Sequence, residues 1–199
     1  MGISLKEGQP AAGSAPRAPT SEDLLELARQ RFLHGERIQV EVLASELGIS
    51  RATAYRWADN AEQLTGRVIA SFAEATFRRA ASEARGRGAK RVLDVMERGM
   101  RLIAAFEPYR KFFERDPQKA LRIVASKEGP VQRQTIALHQ ELLEEEVRRG
   151  HLRLSVDAHA MAYALVRIVE TFIYADVIAG EEPDIDKAVD ILKLMLRPA

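Results

Sequence analysis

From Thr20 onward, apolar side chains recur at steps of three and four residues, and no run of alternating β-branched and polar residues lies between turn signals. That periodicity, in segments dense in Ala, Leu, Glu and Arg, marks amphipathic helices, so the chain is expected to be all-α with about nine helices. A first helix starts at a Thr20/Ser21 N-cap and carries Glu22 and Asp23 where carboxylates suit the helix dipole; it sets Leu24, Leu27, Ala28 and Phe32 on one face and stops at Gly35. A short second helix buries Val40, Leu43, Ala44 and Leu47 and ends at Gly48. Ser50 caps a third over Arg51 to Ala58, and Asn60 caps a long fourth that runs to about Arg85. Further helices are expected at roughly 89–106, 108–115, 117–126, 130–149, 155–179 and 184–197, with Pro108, Pro117, Gly129-Pro130, Gly150 and the stretch Gly180 to Pro183 as punctuation.

The stretch Val40 to Leu64, VEVLASELGISRATAYRWADNAEQL, carries the functional signal. A helix-turn-helix needs a small residue where the second helix crosses the first, a Gly in the turn where φ is positive, and apolar residues on the inner side of the second helix. Ala44, Gly48, Ile49 and Ala54 meet those needs. The outer side of the third helix then holds Arg51, Ala52, Thr53, Tyr55 and Arg56, and no acid lies between Ser50 and Ala58. Such residues suit a major groove: Arg51 can donate two hydrogen bonds to guanine, Thr53 can meet a phosphate or a thymine methyl, and Tyr55 and Arg56 can hold phosphates. Ser50 and Asn60 complete the candidate DNA-binding set, Asn60 because the N–H groups after it face outward at a helix start. The competing reading is an ordinary helical hairpin with a solvated face.

These residues resemble the TetR family of transcriptional repressors: a Leu/Ala-rich first helix ending in Phe32 and Gly35, then LASELGIS, a recognition helix with Thr53 and Tyr55, and Glu62 and Leu64 opening the fourth helix. The segment SRATAYRWA, Ser50 to Ala58, is similar to the QsdR-like branch of that family. The resemblance implies a homodimer in which residues 21–65 read DNA and residues 66–199 form a helical ligand-binding and dimerisation domain. Two positions depart from the family pattern, Ala58 for the usual Phe and Ala61 for the usual Lys. Trp57 either supplies the missing aromatic wedge or packs in the core.

The C-terminal region holds large apolar residues that can line an effector pocket or be plain core: Met96, Met100, Phe106, Tyr109, Phe113, Met161, Tyr163 and Phe172. The helix from Val156 to Ala179 is apolar almost all round, so a partner subunit is the simplest cover for its second face. The run Glu144-Glu145-Glu146 ahead of Arg148-Arg149 reads as an exposed, ion-paired face.

Composition narrows the remaining possibilities. The chain has 30 Lys+Arg against 29 Asp+Glu and no Cys, which removes disulfides and thiolate chemistry and favours the cytoplasm. The four His show no HxxxH or HExxH spacing, and no acid–base pair or nucleophile set can be named, so neither metal, cofactor nor enzymatic activity is expected. No apolar run approaches the ~18 residues of a membrane span. Residues 1–20, with Pro10, Pro16 and Pro19, read as a disordered tail, in which Arg17 is either inert or a minor-groove arm. Basic residues exceed acidic ones over 66–91, seven to two, a face read as solvated. The expected function is a ligand-responsive repressor on a palindromic, double-stranded DNA operator. It would act as a homodimer through its C-terminal helices and be released by an apolar or amphipathic small molecule; the alternative is a helical ligand-sequestering or partner-binding module without DNA binding.

Overall fold

The computed structural model describes residues 17–197, so residues 1–16 of the expected tail lie outside the described residues. Helix α1 (Ser21–Leu33) begins in a capping box: Thr20 accepts from the Asp23 N–H while the Asp23 carboxylate accepts from the Thr20 N–H at 2.7 Å. The same carboxylate takes the Arg17 guanidinium at 2.8 Å, and its bonds to Thr20 hold it below the usual range. α2 (Val40–Glu46) and α3 (Arg51–Ala58) follow, then the long α4 (Ala61–Glu83). α5 (Ala89–Ala104), α6 (Glu107–Arg115), α7 (Pro117–Ala125) and α8 (Pro130–Arg148) come next, the last three each with Pro in the first turn, where its missing N–H costs nothing.

The helix expected over 155–179 starts later and is broken. Asp157 caps Ala158 by accepting the Ala160 N–H at 2.8 Å, and Tyr174 leaves helical geometry at φ −105°, ψ 23°. The stretch therefore becomes α9 (Ala158–Ile173) and the one-turn α10 (Ala175–Ile178), with α11 (Ile185–Met195) closing the chain. Tyr174 is fixed from outside its own helix, by a ring stacked on Phe113 at 4.9 Å and a hydroxyl 2.6 Å from that of Tyr109. Eleven helices and no strand are found among the described residues, an all-α fold in which the split at Tyr174 adds one helix to the ten ranges expected.

Two hydrophobic cores share α4. The first joins Leu24, Ala28 and Phe32 of α1 to Leu43, Ala54, Leu64 and Val68, and continues without a break into Phe113, Ile123 and Val124 of α6 and α7. The second gathers Ala80 at the far end of α4 with Met96, Met100, Leu143, Leu165 and Leu192. The α4–α8 contact is close because Gly66 faces Pro130: a Cβ there would lie 2.8 Å from the proline Cγ.

The α4–α5 junction is locked by a buried acid, which corrects the exposed reading for Glu146, while Glu144 and Glu145 pair with Arg148 and Arg149 one turn on. Glu146 is only 1% exposed and accepts from the Gly88 N–H at 2.6 Å, Arg91 Nη1 at 2.9 Å and His151 Nδ1 at 3.3 Å. Burial alone would raise its pKa; the Gly88 N–H and then Arg91 outweigh it and hold the carboxyl below the ordinary value. Gly88 has φ +58°, and a Cβ on it would sit 2.1 Å from the His151 carbonyl oxygen. Gly88→Ala is expected to cost about 2–4 kcal/mol of unfolding free energy, through backbone displacement as well as positive φ. Gly150→Ala has φ +70° but open space around it, and should cost about 1 kcal/mol. Urea unfolding of the two variants checks the difference, and equal losses would refute the clash.

Candidate nucleic-acid interface and interior cavity

Helix α3 is held by its inner side and offers its outer side. Ala54 and Ala58 are fully buried, and the turn before them closes through Gly48 at φ +64° and an Ile49 N–H bonded to the Ala44 carbonyl at 3.0 Å. Ser50 caps the helix by accepting the Thr53 N–H at 3.1 Å, and the two hydroxyls lie 2.9 Å apart. Arg51, Ala52, Tyr55 and Arg56 are exposed and Thr53 is half-buried. Asn60, also exposed, caps α4 by accepting the Gln63 N–H at 2.9 Å. The seven sequence-selected residues thus flank one helix and the start of the next.

An acid that the sequence reading did not weigh stands beside this face. Glu41 of α2 accepts the Tyr55 hydroxyl proton, which holds the Glu41 carboxyl below its usual range and pushes the Tyr55 phenol up. Trp57 is half-buried and packs against the first core, while its carbonyl accepts from Arg67 Nη2 at 2.6 Å. It follows the core-packing alternative. Polar ties fix the three-helix head and the start of α4 to the rest of the chain: Arg115 donates to the Gly35 carbonyl, and Arg122 of α7 meets Glu62 of α4 at 2.6 Å.

Between the two cores lies a cavity of about 100 Å³. Folded interiors leave few voids larger than a water molecule, so a chamber of this size interrupts an otherwise close-packed interior. α4 contributes Ile69, Phe72, Thr76 and Phe77; α5 contributes Met96 and Met100; Phe106 and Tyr109 close one end, and α8 and α9 add Thr135, His139, Val166 and Glu170. Phe32 of α1 reaches in from the head.

Of the eight residues expected to line a pocket, Met96, Met100, Phe106 and Tyr109 do so. The other four do not. Phe113 stacks behind Tyr174, Met161 is buried inside the second core, and Phe172 packs on that core's edge. Tyr163 is 44% exposed, with the Arg167 guanidinium 5.3 Å from its ring centroid. The wall residues overlooked by the sequence reading include Phe72, Phe77, Thr135, His139, Glu170 and Tyr174. Phe72, Ala73, Thr76 and Phe77 form an i, i+1, i+4, i+5 stripe that was there to be read on α4. Thr135 and His139 are isolated polar residues at i, i+4 and carry no such signal.

The polar groups of the cavity have distinct environments. His139 is enclosed against Phe77, ring centroids 5.0 Å apart, and its Nδ1 lies 2.8 Å from the Thr135 carbonyl. A carbonyl only accepts, so Nδ1 carries the proton. Burial disfavours a second one and lowers the ring's pKa. The Glu170 carboxyl meets Arg167 at 2.9 Å and the Gln132 amide, yet burial outweighs both and raises its pKa. Burial pushes the phenols of Tyr109 and Tyr174 up. Among the described residues no group of three or more His, Cys, Asp or Glu side chains could hold a metal ion, and no helix is long and apolar enough to cross a membrane.

Comparison with known proteins matches this architecture. The family model described as "Tetracyclin repressor-like, C-terminal domain" matches residues 87–197. No curated protein matches the chain. Among solved structures, the transcriptional repressor QsdR of R. erythropolis, from the TetR family, is 30% identical, with a TM-score of 0.85 over 90% of this chain and 96% of that one. The fatty acid degradation regulator FadR of Bacillus halodurans, 16% identical with a TM-score of 0.50 over 92% of this chain and 96% of that one, shares the fold.

The environment of His139 has a measurable consequence. Its folded pKa lies below the ordinary 6.5, so in acid the unfolded chain binds a proton that the folded chain refuses. The stability of the protein relative to a His139→Leu variant should therefore be constant above about pH 6.5 and decline as the pH falls below it. The lost bond to Thr135 only offsets the two curves. Urea unfolding across pH measures the difference, and a flat difference curve would refute a depressed pKa.

Proposed function

The chain belongs to the TetR family of transcriptional regulators, and from that premise we propose that it is a repressor. It binds a palindromic operator as a homodimer, and a small apolar or amphipathic molecule held in the cavity releases it. The observation that carries this reading is Phe32, a side chain that belongs at once to the core of the three-helix head and to the wall of the cavity. Occupancy of the cavity and the position of α3 are then parts of one packing problem. The repressor role is supported by the likeness to the R. erythropolis transcriptional repressor.

Two recognition helices, one from each subunit, enter successive major grooves about 34 Å apart. Arg51 reads a base edge, Tyr55 and Arg56 hold phosphates, and the N–H groups beyond Asn60 present a helix start to the backbone. Tyr55 must exchange its bond to Glu41 for one to a phosphate when DNA arrives. A dimer surface on α8 and α9 is supported by Tyr163, 44% exposed on α9, with Val147 and Val156 41% and 50% exposed near the start of that helix. The small effector shifts the pair to a state whose helix spacing no longer fits the operator.

Selection of bound sequences from a random DNA pool by the purified protein tests the reading. A palindromic motif with half-sites about one helical turn apart is the expected result. Arg51→Ala should relax base preference at one position of each half-site by about 1–3 kcal/mol, whereas Tyr55→Phe should weaken all sequences alike and leave the preference unchanged. No enriched motif at low salt would refute DNA binding and favour a ligand-sequestering module.

A further inference from the structure

Inside these helices Ser and Thr hydroxyls generally bond back to a carbonyl one turn earlier: Thr65 to Ala61 at 2.6 Å, Ser71 to Val68 at 2.7 Å, Thr171 to Arg167 at 3.0 Å. The two threonines in the cavity wall, Thr76 and Thr135, make no such bond, and their hydroxyls meet no protein partner among the described residues. Nor are they among the sealed, unpaired polar atoms of the interior, which are Arg67 Nε, Gln132 Oε1 and Arg167 Nε. Unpaired but not sealed, on residues that line the chamber, these hydroxyls are accessible. His139 adds a third free group. With Nδ1–H given to the Thr135 carbonyl, the Nε2 of the neutral ring is a lone pair without a protein donor.

The rest of the wall limits what can answer these three groups. No Lys or Arg lines the cavity, and the only charged side chain in it is Glu170, whose carboxylate is already engaged by Arg167 and Gln132. A carboxylate or phosphate head would be buried without a counter-charge, against an acid and a lone pair. A head that only accepts, such as an ester or ketone, would satisfy the hydroxyls and leave Nε2 unpaired. A cation would have to displace Arg167 from Glu170. A neutral group with both an N–H or O–H and an oxygen acceptor answers both kinds, the Nε2 lone pair and a threonine hydroxyl.

We propose that the effector is an uncharged molecule with a hydrocarbon body and one donor–acceptor head, an alcohol or a carboxamide, seated at Thr76, Thr135 and His139. This rests on the cavity being the effector site of the regulator. The hydrocarbon body lies against Phe72, Phe77, Met96 and Met100, and the head gives its proton to Nε2 and takes one from a threonine.

Calorimetric titration of the purified full chain with butanamide, butanol, methyl butanoate, butanoate and butylammonium, probes scaled to the cavity, tests the assignment. Butanamide and butanol should bind about tenfold or more tightly than the other three. Thr135→Val and His139→Leu, which keep the wall apolar and close to its original volume, should each weaken butanamide about tenfold and leave methyl butanoate unchanged. Melting curves confirm that each variant is folded. Butanoate or butylammonium binding as tightly as butanamide would overturn the proposal, as would variants that fail to separate butanamide from methyl butanoate. So would the failure of every probe to bind; an operator enriched in the DNA selection would in that case leave the regulator reading standing. Butanamide binding without any enriched operator would uphold the head group and refute the regulator.

Discussion

Phe32, Phe72 and Phe106 meet as three rings whose centroids lie 5.6, 5.4 and 6.5 Å apart, and each forms part of the cavity wall. They come from α1, α4 and the residue that leads into α6, so the contact joins the head, the long helix and the body of the chain at one point. The rest of the architecture follows from it. The head has no closed core of its own: Leu24, Ala28 and Leu43 are continuous, through this stack, with Phe113 and Ile123. Arg115 on the Gly35 carbonyl, and Arg122 and Lys119 around Glu62, fasten the periphery of the same joint. Close-packed interiors do not deform smoothly, so displacement of one ring is passed to its neighbours as a change of packing.

A ligand can move this joint only by as much as it prefers one packing over another. Tight binding alone is silent. Couplings between sites of this kind amount to about 1–3 kcal/mol, comparable to the burial of one aromatic side chain, so a single ring that must leave its place is sufficient in magnitude. On the proposed function, a molecule that fills the space between Met96 and His139 without touching Phe72 would bind and leave the operator occupied. One whose body presses on Phe72 would stress Phe32, and through α1 the seat of α3. Effector strength and effector affinity are separate quantities in such a device.

How much of this was legible in the sequence depends on how local each feature is. Thr20 with Asp23, Ser50 with Thr53, Asn60 with Gln63 and Gly48 in the turn are set by residues a few positions apart, and α1, α3 and α4 begin where those caps place them. The exposed face of α3 is readable for the same reason. The break at Tyr174 was not, because its causes, Tyr109 and Phe113, lie more than sixty positions away. A helical stripe likewise shows that a side chain faces inward and not which neighbours it finds there. Met100 and Met161 are equivalent in sequence and both belong to the second core, yet only Met100 also reaches the cavity wall. Glu146 looked like the third member of an exposed acidic run until Gly88 and Arg91, from more than fifty positions away, closed over it.

The two inward-facing glutamates show why the cavity has the character it has. Glu146 receives a backbone N–H, an Arg and a His on one side chain, enough to keep it ionised although almost no surface remains to it. Glu170 has one Arg and one amide, and burial prevails. The first is therefore a fixed charge that closes a loop, placed where no ligand can reach it. The second lines the chamber and offers a visitor little field, because its charge is opposed by burial and shared with Arg167, which stands outside the lining. With the imidazole of His139 neutral and both phenols protonated, the wall is a nearly uncharged surface with a few free hydrogen-bonding positions. Selectivity in such a site comes from leaving a polar group unpaired when the wrong head is bound, and that penalty discriminates more sharply than the apolar walls can.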